Sequence, residues 1–309
     1  MTAGPSSTPV RPHRDPGSAP QRVLVTGAAG GLGRVVLDMY AARGVAVTAL
    51  DVSRSGLPEC DRVVVGDASD PAAVGEALAD VDAVVHLAAM ASPNHGAPET
   101  VFSNNVRSTF VVLEEAGRAG VRRAAVASSF SVLGLPWAGR PLHPAYLPVD
   151  EAVPLQVEDP YGLSKQVDEA TAAMMARRHG MTVVALRFPF HGGTERLAAR
   201  AADYAEDAAS GAAELWSYID SRDTAAACAL AVEAPLTGCH TVFVAAPDTL
   251  APQPTEDLLA RYHPHVPRRR RFDGRSVPID LAAGQRLLGF TARHLHPIAT
   301  PAATAGQQH

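Results

Sequence analysis

The chain has 309 residues, 47% hydrophobic and 19% charged, which is enough for one large α/β body with a smaller lobe and excludes a disordered or fibrous protein. A net charge of −5 gives no global attraction to nucleic acid or anionic lipid, and no apolar run approaches the ~18 residues of a membrane span. Cys60, Cys228 and Cys239 are widely spaced with no CxxC pair, which argues against a disulfide framework and for a reducing, cytoplasmic setting.

Residues 1–20 are broken by prolines and lack an apolar core, so they read as a disordered leader and not a signal peptide. Short apolar runs follow at 22–26, 46–50, 62–65, 82–87, 124–127 and 182–186, each suited to a strand buried on both faces of a parallel sheet. Helical stretches separate them at 32–43, 72–79, 99–119 and 161–179. Two of these open on Asp-Pro pairs, Asp70-Pro71 and Asp159-Pro160, with Asp as N-cap and Pro in the first turn. The alternation predicts a doubly wound α/β fold with a parallel sheet. Beyond residue 190 the pattern loosens: 192–213 reads as helix, 217–220 as extended, 224–232 as helix, 241–245 as strand, and 255–262 as a short helix capped by Thr255. The expected organisation is a nucleotide-binding body at 21–190, a small substrate lobe at 191–298 with segments returning to the sheet, and a disordered tail at 299–309.

The first strand runs into Thr26-Gly27-Ala28-Ala29-Gly30-Gly31-Leu32-Gly33. Gly27 suits the tight turn, Gly30 lets backbone approach a pyrophosphate, and Gly33 permits close packing of helix on sheet. The helix start, at Gly31 and Leu32, offers free N–H groups to the phosphates. Such a turn also serves as a plain strand–helix connection, but here it has the strand before and the helix after that a dinucleotide site requires. Asp51 ends the second strand, where a carboxylate can accept both ribose hydroxyls of an adenosine and repel a 2′-phosphate. The reading is therefore NAD, with NADP as the alternative because Arg54 follows closely. Asp67, with Ala68 beside it, stands after the third strand, in place to receive an adenine amino group.

Lys plus Arg total 27, yet Lys165 is the single lysine. It follows Tyr161 by one helical turn in Tyr161-Gly162-Leu163-Ser164-Lys165. A phenol has a reference pKa of about 10, and an ammonium one turn away stabilises the phenolate and brings the group toward the working range. A bulkier guanidinium would not reproduce this geometry, which accounts for lysine at this position. Ser128 and Ser129 end the fifth strand at the ligand-facing edge of such a sheet. Strand alternation sends one of them inward to packing, and Ser129 is the expected donor to a substrate oxygen.

These pieces, together with His86-Leu87-Ala88-Ala89, Asn104-Asn105-Val106, Ser128–Gly134 and Leu186–Phe190, resemble the extended short-chain dehydrogenase/reductases of the NAD-dependent epimerase/dehydratase family over about residues 21–295. The resemblance implies Ser129, Tyr161 and Lys165 as the catalytic set. It implies Leu87, Ala88, Ala89 and Pro189 along the cofactor, and Asn105 supporting the site from the third helix. It also implies pairing of the helices at 99–119 and 161–179 with their copies in a homodimer. Val112, Leu113, Ala116, Ala170, Ala173 and Met174 are apolar positions available for that contact. The 4,6-dehydratases of the family carry Asp-Glu after the catalytic hydroxyl residue where this chain has Phe130-Ser131, which argues against dehydration. Only 23 positions separate Gly193 from Trp216, which suggests a small substrate and a layout similar to uronate dehydrogenases. Those carry Asn-His after the serine, so a uronic acid is not implied. The expectation is hydride transfer between NAD and a secondary alcohol or ketone of a small, sugar-like molecule. The alternatives are a nucleotide-sugar epimerase that recycles its NAD and a non-catalytic dinucleotide sensor. Arg268–Arg271 reads as a solvated charge run, and His263, His265, His294 and His296 lack the carboxylate or cysteine company of a metal site, so no metal is expected. Asn94 and His95 stand in a loop on the ligand side.

Overall fold

The computed structural model describes residues 19–298. The tail at 299–309 and all of the expected leader except Ala19 and the buried Pro20 lie outside them. In chain order the elements are β1 (Arg22–Thr26), α1 (Gly31–Ala42), β2 (Ala46–Asp51), β3 (Arg62–Val65), α2 (Pro71–Ala77), β4 (Ala83–His86), α3 (Pro98–Arg118), β5 (Arg123–Ser129), α4 (Pro160–His179) and β6 (Thr182–Phe188). There follow β7 (Phe190–Gly192), α5 (Thr194–Glu206), β8 (Tyr218–Asp220), α6 (Ser221–Glu233), β9 (Cys239–Phe243), α7 (Thr255–Tyr262) and α8 (Ala282–Leu288).

Seven strands pair in parallel in the order β3-β2-β1-β4-β5-β6-β9, as the alternation of elements predicts. The strand order reverses between β1 and β4, and the crevice beyond their carboxyl ends is where such sheets hold ligands. Strand residues alternate between two cores. Val23, Val25, Ala125 and Val184 meet Val36, Leu37 and Tyr40 of α1 and Cys228 and Val232 of α6 on one face. Leu24, Val84, Val126 and Val183 meet Val112, Leu113 and Ala116 of α3 and Ala172 and Met175 of α4 on the other. Every one of these side chains is at most 2% exposed, so the sheet is covered on both sides.

A third core builds the lobe, and its boundaries differ from those the sequence predicts. Tyr204, Trp216 and Tyr218 pack with Leu258, Phe272 and Ile279, but also with Phe130, Leu135, Leu147 and Val149 from the connection between β5 and α4. Much of residues 130–153 therefore serves the lobe, whereas α6, β9 and α8 return to the sheet. The prolines scattered through 130–159 concealed this, because its apolar residues follow no helix or strand period. Thr255 is a second departure: its hydroxyl donates to the Ser276 carbonyl at 2.8 Å and caps nothing. The arginine run is also structural in part. Arg268 pairs with Glu256, and Arg269 pairs with Asp150 at 3.0 Å while lying 3.3 Å over the Tyr146 ring. His263 is held by His143 and the Ala212 carbonyl, and His294 by Asp223. Of the apolar positions offered for a dimer, Val112, Leu113 and Ala116 are consumed by the sheet, whereas Ala170 is exposed and Ala173 and Met174 are half-buried; Phe110, 45% exposed, and Leu163, 43% exposed, are further exposed apolar residues of α3 and α4.

Asp70 and Asp159 do cap their helices, accepting from Ala72 N at 3.0 Å and Gly162 N at 2.7 Å. Asp159→Ala should lower stability by about 1 kcal/mol, the usual value of such a cap, read as a fall in Tm that Asp159→Asn largely restores. An unchanged Tm in the alanine variant would show that Pro160 alone starts the helix.

Candidate active site

The glycine turn leaves no room for larger residues. Gly27 has φ 66°, and a Cβ there would lie 2.7 Å from Ala88 N; one on Gly33 would lie 2.3 Å from the Gly27 carbonyl. The strand, the helix start and the segment after β4 thus touch backbone to backbone, while the space beside Gly31 is open. Asp51 locks the turn from β2: its Oδ2 accepts from Ala29 N at 2.9 Å and its Oδ1 from Ser53 N at 3.1 Å. Each oxygen retains a lone pair toward the cleft. A cradle of bare backbone beside a helix start, edged by a carboxylate, fits the pyrophosphate and ribose of a dinucleotide.

The cleft has a volume of about 1040 Å³ and runs from this turn past the ends of β4 and β5 into the lobe. Gly27, Gly30, Gly31, Leu32, Gly33, Asp51, Asp67, Ala68, Leu87, Ala88, Ala89, Ser129, Tyr161, Lys165 and Pro189 all line it, and so does His95. Arg54 and Asn94 do not. Asn105 is the exception among the cofactor residues. It is fully buried behind the wall, with Oδ1 accepting from Met90 N at 2.8 Å and Nδ2 donating to the Met90 carbonyl and to Ser164 Oγ at 3.1 and 3.0 Å. Its amide is spent on holding the loop after β4 against α4, so it shapes the cleft without facing it.

The two serines divide as strand alternation requires. Ser128 Oγ donates to Glu169 at 2.6 Å, and Glu169 is gripped by Arg187 at 2.9 Å through both oxygens, so this hydroxyl belongs to the scaffold. Ser129 Oγ accepts from Ser131 N at 3.0 Å, which leaves its own hydrogen for a group in the cleft. Across from it, α4 carries Tyr161 and Lys165. The lysine is 3% exposed, donates to the Ala127 carbonyl at 2.9 Å and to Asp168 at 3.2 Å, and lies 5.9 Å from the centre of the Tyr161 ring. Asp168 is fully buried, and burial pushes its carboxyl up against the opposing pull of Lys165.

The lobe end of the cleft holds groups that sequence reasoning missed. Arg196 and Arg200 of α5 lie with their guanidiniums 4.8 and 4.3 Å from the centre of the Phe190 ring, and neither has a carboxylate within 4.0 Å among the described residues. Glu214 lies nearby, its carboxylate taken by the Tyr204 hydroxyl at 2.6 Å. His191 lines the same end, its imidazole pushed down to about 4 by burial and by Arg196. The one available signal was the i, i+4 spacing of two arginines directly after a strand. A helix face of that kind ordinarily reads as solvated.

A model of the NAD-dependent epimerase/dehydratase family matches residues 23–246. The chain belongs to that family, among the extended short-chain dehydrogenase/reductases. L-arabinose 1-dehydrogenase (NAD(P)(+)) of Haloferax volcanii is 36% identical over 172 residues, 54% of this chain but only 65% of that enzyme. A 3-diazoavenalumate denitrifying reductase of a Streptomyces species is 32% identical over 293 residues, 88% of this chain and 89% of that one. Among solved structures, an NAD-bound short-chain dehydrogenase/reductase superfamily protein of Agrobacterium tumefaciens superposes with a TM-score of 0.67 at 28% identity, covering 89% of this chain and 93% of its own.

The glycine contacts make a sharp test of the turn. Gly33→Ala should cost both stability and dinucleotide binding, because backbone must move to admit the methyl. Gly31→Ala, which meets nothing in the protein, should leave Tm within a degree or so and weaken only the ligand. Thermal melts with and without NAD separate the two, and equal behaviour of both variants would contradict the packing.

Proposed function

We propose that the chain is an NAD-dependent oxidoreductase that transfers hydride between nicotinamide and a secondary alcohol or ketone of a small substrate bearing an anionic group. The observation that carries this reading is that Ser129, Tyr161 and Lys165 line one cleft together with the glycine turn and Asp51. Bound NAD supplies the hydride acceptor or donor; the remaining chemistry is the chain's own. Ser129, its oxygen engaged by Ser131 N, donates to the reacting oxygen and fixes its place. Tyr161 gives that oxygen a proton or takes one from it, and Lys165 stabilises the phenolate that results. The ammonium is also placed to reach the nicotinamide ribose. Asp51, with Arg54 off the cleft, favours NAD over NADP.

Arg196 and Arg200 supply the substrate class. Two guanidiniums stacked on one ring present their N–H edges to a carboxylate or phosphate, and Phe130, Trp137 and Phe190 give that end apolar walls. The Streptomyces relative, alignable over nearly the whole chain, is named a 3-diazoavenalumate denitrifying reductase, which supports net redox over a recycled cofactor. Assembly as a homodimer through α3 and α4 belongs to the same reading, with Phe110 and Leu163 as the outward apolar contacts.

Incubation with NAD or NADH and a panel of hydroxy and keto acids should change absorbance at the NADH band. Tyr161→Phe should reduce kcat by about 10²–10⁴-fold with NAD binding retained, and Lys165→Arg should be nearly as damaging. Arg196→Ala and Arg200→Ala should raise KM about tenfold or more for acids and little for neutral alcohols. Net isomerisation without NADH would convert the assignment to epimerase, and no turnover of any kind would remove it. Light scattering should give twice the 32.2 kDa chain mass, falling to one chain in Phe110→Asp. A monomer with full activity rejects the dimer.

A further inference from the structure

Behind the cleft wall runs a line of buried polar groups whose hydrogen-bond directions follow by elimination. Thr26 Oγ1 accepts from the backbone of Leu87 at 3.2 Å and Ala88 at 3.3 Å, so its own hydrogen goes to His86 Nδ1, 2.7 Å away. His86 is buried, and burial first, then the charge of Lys165, pushes its imidazole down to about 3. It is therefore neutral, and with Nδ1 accepting, its single proton sits on Nε2 and is donated to Thr109 Oγ1 at 3.0 Å. The Thr109 hydrogen is left to face Asp168. From the other side Lys165 Nζ meets the same carboxylate at 3.2 Å. Donation thus runs in one direction, from β1 through β4 to Thr109 of α3, which stands beside Asp168; the Asp168 oxygen that Lys165 does not hold is buried without a hydrogen-bond partner among the described residues.

We propose that Asp168 is a positioning residue whose carboxylate balances the charge of Lys165, holding Tyr161 in its neutral, proton-donating form and setting the site toward reduction. The inference rests on the reading of Tyr161 as the proton-transfer group. An unbalanced ammonium this deeply buried would draw the phenol strongly toward phenolate. A carboxylate on the same nitrogen cancels much of that field at the ring. Other charges near the pair are already neutralised. Glu169 of α4 is bound by Arg187 of β6, His86 of β4 is neutral, and Thr109 of α3 does not titrate. Burial pushes Asp168 up, and the Lys165 ammonium 3.2 Å away is the main pull in the other direction. In reduction the substrate carbon receives hydride from the reduced nicotinamide and the substrate oxygen receives the Tyr161 proton. One O–H bond breaks and one forms, and the phenolate then recovers a proton from solvent.

The test is the pH titration of tyrosinate absorbance, taken as the difference between the protein and its Tyr161→Phe variant, which isolates Tyr161 and needs no substrate. Asp168→Asn should move the Tyr161 midpoint about one pH unit lower. Thr109→Val, which removes the hydroxyl beside Asp168 and keeps the volume, should move it in the same direction by less, and stands in if Asp168→Asn fails to fold in a thermal melt. With an active substrate, the alkaline limb of the reduction rate should fall at a correspondingly lower pH in Asp168→Asn. A merely structural Asp168 would instead lower the rate equally at all pH values. A midpoint unmoved or raised in the folded variants overturns the proposal. A lowered midpoint upholds it even where the substrate panel shows no turnover, a result that would count against the oxidoreductase reading alone.

Discussion

A lysine ammonium buried to 3% exposure is costly unless it is paired and hydrogen-bonded, and much of the site is arranged around keeping Lys165 in place. Its two partners come from different elements. The Ala127 carbonyl is available because β5 runs on to Ser129, and Asp168 lies on the same helix three residues on. The helix must then start at a defined place, which the Asp159 cap and Pro160 provide, and must lie against β5, which the shared core of Ala124, Val126, Ala172 and Met175 provides. A guanidinium cannot occupy this space with the same two bonds. The chain uses arginine for its other side-chain cations of the Lys/Arg type, and lysine only where a compact ammonium must be enclosed.

The sheet was legible in the sequence because its strands are buried on both faces and so appear as unbroken apolar runs. Two of the helices between them, α2 and α4, carry Asp-Pro starts that leave little freedom in register. Alternation put Ser128 and Ser129 on opposite sides of β5 and the family resemblance singled out Ser129; in the structure Ser128 bonds Glu169 while Ser129 accepts from Ser131 N. What escaped was tertiary in origin. The connection 130–153 packs into the lobe through Phe130, Leu147 and Val149, residues whose spacing fits no period. Asn105 was expected along the cofactor and as a support for the site from α3, and its Oδ1 and Nδ2 make three hydrogen bonds to Met90 and Ser164 behind the wall. Thr255 had the right residue type for a cap, and a neighbouring carbonyl claimed its hydroxyl first.

Asp168 escaped for a different reason. One turn after Lys165, an aspartate reads as an ordinary helix-surface ion pair worth a few tenths of a kcal/mol. Burial changes its meaning: removed from water, the same carboxylate needs every donor that the fold can direct at it. Lys165 supplies one, and beside it runs a polar line of residues far apart in the chain, Thr26, His86 and Thr109, brought together only where β1, β4 and α3 converge. Their directions are forced by Leu87 and Ala88, whose N–H groups occupy Thr26 and so fix the tautomer of His86.

The cleft is polarised from end to end. Asp51 and Asp67 place carboxylates where the adenosine hydroxyls and amino group would lie, and Arg196 and Arg200 place cations at the lobe end. Several arginines elsewhere find acids, as Arg43 does with Glu233, Arg140 with Glu158 and Arg275 with Asp248, while Arg261 and Arg270 lie over rings. At the lobe end Arg196 and Arg200 rest on Phe190. A ring face holds a guanidinium by about 0.5–1 kcal/mol at an exposed site and occupies none of its N–H donors. A carboxylate partner would hold it more firmly and would have to be displaced by any incoming anion. The aromatic seat therefore fixes the position of the two cations while leaving their hydrogen-bonding edges and their charge unspent. This combination is what a site needs in order to discriminate an anion from the neutral alcohol of the same shape.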